Sequence, residues 1–383
     1  MAFLGLRPAS EGDRVTTLEL IFDLVYVFAF TQVTGLMAHG DAPWSVLDGF
    51  IVFALLWWTW CSYSWVANMV RADSGAMRLA LMVVTATMFV ACLAIPEALH
   101  DLSGGLSGPW VLVVCYAVVR FVHLGVYLVV AGADVQLRRQ VLVSLASSAV
   151  PAVALLSLGL VLGEPWQRPV WLVAVLYDLA AIFVTSRGGG GWVVTSAAHF
   201  AERHALVVIL AVGESVVAIG VGAAERPVSW PLIGAAVLAV AMAIGMWLHY
   251  FQGLSERLEH GLLRLRDRER ARAARDVFTY LHLPIVFGII CSAYGVEHAL
   301  AHVEDGHLGA TGAWALGGGL AVSLVAMAGA DRRLGASWSW WRSGTAGALL
   351  VIAATSSAAP PMLVLGVVAA VLMSSGIAGT NRR

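Results

Sequence analysis

Charge is what this chain has least of. Charged residues make up 12% of its 383 positions, 60% are hydrophobic, and the mean hydropathy is +0.82. Soluble domains carry about 25% charged residues, and so little charge cannot cover the surface of a chain this long in water. A soluble enzyme, a disordered chain and a nucleic-acid-binding module are excluded together, and the bulk of the chain must lie in lipid. Lysine is absent, since all 23 basic residues are Arg, and with it any Schiff-base chemistry on a lysine amine. A net charge of −1 provides no field to steer a polyanion. The four cysteines (Cys61, Cys92, Cys115, Cys291) stand singly in apolar runs, as small core residues rather than a disulfide frame or a zinc site. There is no H-E-x-x-H or Asp-rich diphosphate motif, so neither metal nor cofactor is expected. Arg7, Glu11, Asp13 and Arg14 precede the first apolar run, which does not read as a signal peptide.

What is present is a series of long apolar runs. With roughly 20 apolar residues per crossing, the sequence predicts an all-α integral membrane protein of about twelve transmembrane helices. They fall at 18–38, 46–70, 77–98, 109–131, 140–162, 168–186, 198–222, 228–251, 277–298, 310–330, 343–358 and 361–378. The last two are short and are separated by Pro360-Pro361, which breaks a helix. Nineteen of the 23 arginines fall on one side of this arrangement, from Arg7 and Arg14 to Arg382 and Arg383, whereas the opposite loops hold Arg168 and Arg226. The positive-inside rule then makes both termini cytoplasmic in a bacterial inner membrane.

Two halves, 1–187 and 188–383, are expected as parallel six-helix repeats. Glu19-Leu-Ile-Phe-Asp23 in the first span answers Glu202-Arg203-His204 in the seventh, and Pro96-Glu97 in the third answers Val296-Glu297 in the ninth. The segment 252–276 has no counterpart in the first half. Leu254, Leu258, Leu262 and Leu265 recur there at helical spacing among seven arginines and five acids, which predicts an amphipathic helix on the cytoplasmic leaflet.

An ionisable side chain within a span costs about 2.5–3.5 kcal/mol on insertion scales, so each needs a partner or a task. Glu19 and Asp23 are one turn apart on one face of the first span. Thr16-x-x-Glu19 is also a capping-box pattern, so Glu19 is either a helix cap or a site residue. Asp23 is either a functional acid or the partner of Arg120 or Arg203. Tyr116, Arg120 and His123 share a face of the fourth span, with Arg120 in a fixed salt bridge or on an anionic ligand. Asp178 lies in the sixth span. The seventh carries His199, Glu202, Arg203 and His204, then Gly213-Glu214-Ser215 deeper, and Glu214 is the first choice for a proton-carrying group. In the ninth, Pro284 withholds a hydrogen bond from residue 280 near His282, leaving either a cavity lining or a packed His at a kink. Trp57, Trp58, Trp60 and Trp65 crowd the second span as packing, belt residues or an aromatic lining.

Several of these stretches together resemble the bacterial low temperature requirement A family. They are Leu18-Glu19-Leu20-Ile21-Phe22-Asp23-Leu24-Val25-Tyr26-Val27, Trp57-Trp58-Thr59-Trp60 followed by Asn68, and His199-x-x-Glu202-Arg203-His204 leading to Gly213-Glu214-Ser215. Trp247-x-x-Tyr250-Phe251 and Tyr280-Leu281-His282-Leu283-Pro284 complete the series in order. Where the family often has an acid after the Tyr-Phe pair, this chain has Gln252. The resemblance implies a polytopic bacterial membrane protein named for a cold-growth phenotype; it does not imply a settled activity.

The residues themselves point to a polar cluster between the two halves. Asp23, Arg120, His199, Glu202, Arg203, Glu214 and His282 would line it, with Glu19 and His204 at its mouth. Proton-coupled transport of a small solute is the leading expectation. A metal-free intramembrane enzyme working by acid–base chemistry on a lipid or isoprenoid is the rival, with Asp23, Glu214 and His282 as candidate catalytic groups and Tyr116 and the Trp faces as lining. A structural or sensory protein is the third. The expected partners are the bilayer and a small-molecule or lipid ligand, not nucleic acid.

Overall fold

A computed structural model of the chain describes residues 5–40, 44–187, 192–224 and 226–380. Among these every regular element is helical; the one extended contact is an isolated bridge between Pro8 and Val70. The helices are α1 Thr17–His39, α2 Ser45–Ala67, α3 Gly75–Ala94, α4 Gly108–Ala131, α5 Val135–Leu162, α6 Gln167–Thr185 and α7 Ala197–Ala223. Then come α8 Trp230–Phe251, α9 Leu254–Arg264, α10 Asp267–Ala301, α11 Gly309–Arg333, α12 Trp340–Thr355 and α13 Pro361–Thr380. Three of them contain a π-helical turn: Leu145–Ala149 in α5, Arg275–Leu281 in α10 and Trp314–Gly318 in α11.

Among the described residues, eleven helical stretches are long and apolar enough to cross a membrane. The expected span 343–358 is the exception. It forms α12, which starts earlier and has 16 residues, about 24 Å at 1.5 Å per residue against a hydrocarbon core of about 30 Å. Leu24, Leu79, Leu93, Val161 and Val351 are exposed on their helices, as lipid-facing side chains must be. All four cysteines are free and buried. Arg382 and Arg383 of the arginine count, and residues 188–191 at the expected boundary between halves, lie outside the described residues.

The chain forms two compact units, one of Met1–Val33, Leu47–Arg203 and Leu263–Arg275, the other of Thr34–Val46, His204–Leu262 and Asp276–Arg383. In the first, α3 packs on α4 and α5 on α6; in the second, α8 packs on α13 and α11 lies against both α10 and α12. Small residues permit the tightest approach, as in membrane helix pairs generally. A Cβ on Gly319 would stand 2.6 Å from the Gly288 carbonyl oxygen and 2.9 Å from the Cys291 Cβ. Gly319→Ala is therefore expected to cost about 1–3 kcal/mol through overpacking. The measurement is the unfolding midpoint in a denaturing-detergent titration, with Gly344→Ala, where nothing lies within 4 Å of the added Cβ, as the silent control.

The segment 252–276 departs from its expected form. It is two helical stretches, α9 and the start of α10, and Leu254, Leu258 and Leu262 are fully buried. A Cβ on Gly261 would touch Leu334, so protein covers the apolar stripe and not a lipid leaflet. Helical periodicity fixes which face is buried, not what buries it.

Candidate functional site

In the first unit, the N-terminus of α1 is set by Thr16. Its backbone N–H and its hydroxyl both donate to Glu19 Oε2, each at 2.8 Å, and the Glu19 N–H donates back to Thr16 Oγ1 at 3.3 Å. This is a closed capping box. The other oxygen of Glu19 serves a different purpose: Oε1 accepts from Arg203 Nη1 at 2.9 Å and lies 3.1 Å from His199 Nε2. Glu19 is thus the helix cap that its spacing allows, and its second oxygen ties α1 to α7.

Asp23, one turn on, completes the group. Its Oδ1 accepts from Arg203 Nη2 at 2.6 Å and from the Trp60 indole N–H at 2.9 Å. Oδ2 is buried with no hydrogen-bond partner. Arg203 spans both acids because α7 places it one turn after His199, on the same face. Its guanidinium also lies 5.4 Å from the Trp60 ring, within cation–π range. Glu19, Asp23 and Arg203 are at most 2% exposed.

Asn68, at the foot of α2, organises the start of α7. Its Oδ1 accepts from the backbone N–H groups of Thr195 (2.7 Å) and Ser196 (3.2 Å), while its Nδ2 donates to the Ser196 carbonyl at 2.6 Å. Ser196 Oγ in turn caps the His199 N–H. Two N–H donors on Oδ1 fix which way the amide points, so the Asn68 NH2 faces His199 Nδ1 at 3.4 Å. The amide thus presents a donor towards Nδ1, while Nε2 faces Glu19.

Arg120 belongs to a separate pair. It meets Asp178, which also accepts from Tyr116 OH at 2.7 Å and from Ser148 Oγ. Arg120 Nη2 donates to Ser148 at 2.8 Å, and its guanidinium lies 5.9 Å from the Trp58 ring. Asp23 thus pairs with Arg203, and Arg120 with Asp178 of the expected sixth span. Trp57 stacks on Trp60 at 5.3 Å, and Trp65 meets Phe200 edge-on at 5.0 Å. Glu202 stands apart, half-exposed, accepting from the Val15 N–H at 3.4 Å with Arg14 nearby. Outside the spans, Arg71 bridges Asp13 at 3.2 Å and Asp73 at 2.9 Å, and its guanidinium holds the Asp73 carboxyl below its usual range. Arg168, counted among the loop arginines, forms a bidentate pair with Asp48.

The second unit holds His204, Glu214 and His282, all buried. His282 Nδ1 lies 2.9 Å from the Val277 carbonyl, five residues back across the π turn, and Nε2 lies 2.8 Å from Tyr250 OH. A carbonyl only accepts, so Nδ1 carries the proton and Tyr250 donates to Nε2. The His204 ring meets His282 edge-on at 5.4 Å. This is the packed, hydrogen-bonded histidine at a helix distortion, one of the two forms expected. Among the described residues no group of three or more His, Cys, Asp or Glu side chains is arranged to hold a metal ion.

Sequence reasoning missed Ser148, which no motif marks, and passed over Asp178, the nearest to a free acid for Arg120. Nothing in the sequence around Asn68 marks its role at the start of α7. Comparison with known proteins finds that residues 14–376 match the family model described as bacterial low temperature requirement A protein. An uncharacterized protein of Rhizobium meliloti (strain 1021) is 25% identical over 328 residues, 77% of this chain and 72% of that one. No solved structure matches.

Proposed function

We propose that this chain, which belongs to the bacterial low temperature requirement A family of multi-pass membrane proteins, couples proton binding at Asp23 to the movement of a small solute. One observation carries this reading. The Arg120–Asp178 site balances one cation with one anion, whereas the α1–α7 site sets two carboxylates against one permanent cation, the Arg203 guanidinium, with the His199 ring beside Glu19. A single buried negative charge is left over, and in a medium of low dielectric one proton neutralises it at far less cost than leaving it bare. Asp23 Oδ2, buried and free of hydrogen bonds, is the position with capacity for that proton. Protonation there weakens the charge-assisted bond to Arg203, which is a direct way for a proton to alter how α1 and α7 are held.

Buried acids that exchange protons are the working parts of secondary transporters. Glu214, buried in the second unit, is the second acid of this reading. The arginine asymmetry supports an orientation with both termini in the cytoplasm of a bacterial inner membrane, which requires the 16-residue α12 to cross as a twelfth, short span. An enzyme acting through aromatic faces is less well supported, since Trp60 and Trp58 turn theirs towards Arg203 and Arg120.

Two measurements test it. A pH jump on the purified protein, followed with an indicator dye, is expected to show about one proton taken up per chain that Asp23→Asn abolishes. Proteoliposomes with an imposed pH gradient are expected to accumulate at least one member of a mixture of amino acids, sugars and organic cations. That accumulation should be lost in Asp23→Asn and Glu214→Gln. Equal proton uptake by the wild type and Asp23→Asn, or equal solute signals in all three proteins, overturns the proposal.

A further inference from the structure

The second unit contains a cavity of about 610 Å³ bounded by the end of α8, the start of α9, the α11–α12 connection and the end of α13. It lies on the arginine-rich side of the chain. Arg342 is its deepest charged residue, 2% exposed although it stands only two residues into α12. Its Nη1 reaches Asp331 Oδ2 at 3.2 Å and Ser339 Oγ at 3.4 Å, and Nη2 donates to the His249 carbonyl at 3.1 Å. The Nε–H is buried with no hydrogen-bond partner. Arg257 comes from the opposite wall, bidentate to Asp331 at 2.9 and 2.8 Å and still 43% exposed. Two guanidiniums therefore share one carboxylate, and both retain donor capacity.

The rest of the lining sorts by depth. Glu256 is exposed, one residue from Arg257, so the negative charge lies outward of the buried cation. Trp338 and Trp341 are half-buried, the first with its indole N–H donated to Ser343 Oγ at 2.9 Å. Trp340 is 78% exposed, and exposed indoles of membrane proteins favour the level of the lipid headgroups.

From this geometry we infer that the cavity is a binding site for the zwitterionic headgroup of a membrane phospholipid of the phosphoethanolamine class. The phosphate takes the spare donors of Arg342 and Arg257, which suit phosphate oxygens by their planar fork. The ammonium turns outward to Glu256 and to the Trp338 indole, a ring type that attracts cations, since the Trp341 ring is already faced by Arg342 and stacked on His249; the acyl chains leave past Trp340. With Arg257 and Arg342 offset by Asp331 and Glu256, the lining as a whole is neutral. A neutral lining with its cation deep and its acid outermost matches a headgroup of the same pattern and is a poor match for a purely anionic one.

The test uses full-length protein, delipidated in detergent and mixed with phosphatidylethanolamine, phosphatidylglycerol or phosphatidylcholine, with bound lipid counted by native mass spectrometry. One phosphatidylethanolamine per chain is expected to be retained. Arg257→Gln, at an exposed position that leaves Arg342 on Asp331, is expected to weaken retention about tenfold. Glu256→Gln is expected to shift preference towards phosphatidylglycerol, a readout that simple loss of folding would not give. A parallel arm adds inorganic phosphate and water-soluble glycerophosphoethanolamine. Displacement of the lipid by either at low concentration assigns the cavity to a soluble phosphate compound and overturns the lipid assignment. Retention unchanged in Arg257→Gln, or equal retention of all three lipids by wild type and Glu256→Gln, overturns the site altogether.

Discussion

Arg203→Leu is expected to destabilise the protein by about 3–5 kcal/mol, the range for removing one partner of a buried ion pair. The substitution leaves Glu19 and Asp23, both essentially unexposed, with no cation but the His199 imidazole. The unfolding midpoint in a denaturing-detergent titration should fall accordingly, and adding Asp23→Asn should recover part of the loss by removing one of the stranded charges. Arg203→Lys should fall between the two. A single ammonium cannot reproduce a fork that places Nη1 on Glu19 and Nη2 on Asp23. A midpoint for Arg203→Leu equal to that of wild type would mean that the α1–α7 site does not bear on the fold.

Asp178→Ala is expected to cost a similar amount, about 3–5 kcal/mol, for a different reason and with a different remedy. It strands Arg120 and also removes the acceptor of Tyr116 OH and Ser148 Oγ. Because this pair is balanced, replacing both members by apolar side chains of similar volume, Arg120→Met with Asp178→Leu, should restore most of the stability. The double variant should keep the single-proton uptake assigned to Asp23. If it folds but no longer takes up the proton, Arg120 belongs to the proton path and the two sites are not separate in function.

Much of the helical layout was legible, because long apolar runs and their breaks follow directly from the cost of backbone polar groups in lipid. So were the shared helix faces within the α1–α7 group, though not which of the buried charges belong together. Glu19 with Asp23, and His199 with Arg203, each share a helix face at a four-residue spacing that needs no tertiary information. The pairings were not legible. Asp23 lies 180 residues from Arg203, and Asp178 lies 58 from Arg120. Periodicity gives the face a side chain occupies but not the neighbouring helix. Arg342 shows the same limit from another side. Its position beside a loop made it one of nineteen topology charges, yet it is buried against Asp331 and carries the lining of a cavity. Composition counts a guanidinium identically whether it faces water or a carboxylate.

The π-helical turns have a consequence for how this chain tolerates changes in length. A π turn holds one residue more than the α turn it replaces, so it is in effect an insertion that the helix has absorbed without breaking. Deleting one residue within Leu145–Ala149 would restore regular α geometry with the flanking parts of α5 still in register, but would shift the side chains that the turn itself presents. That would take Ser148 away from Arg120 and Asp178. The same deletion within Arg275–Leu281 would end the five-residue reach from His282 to the Val277 carbonyl. Gains and losses of single residues, ordinarily confined to loops, therefore have admissible places inside these spans, and each such event would rewire a buried polar contact rather than merely lengthen a helix.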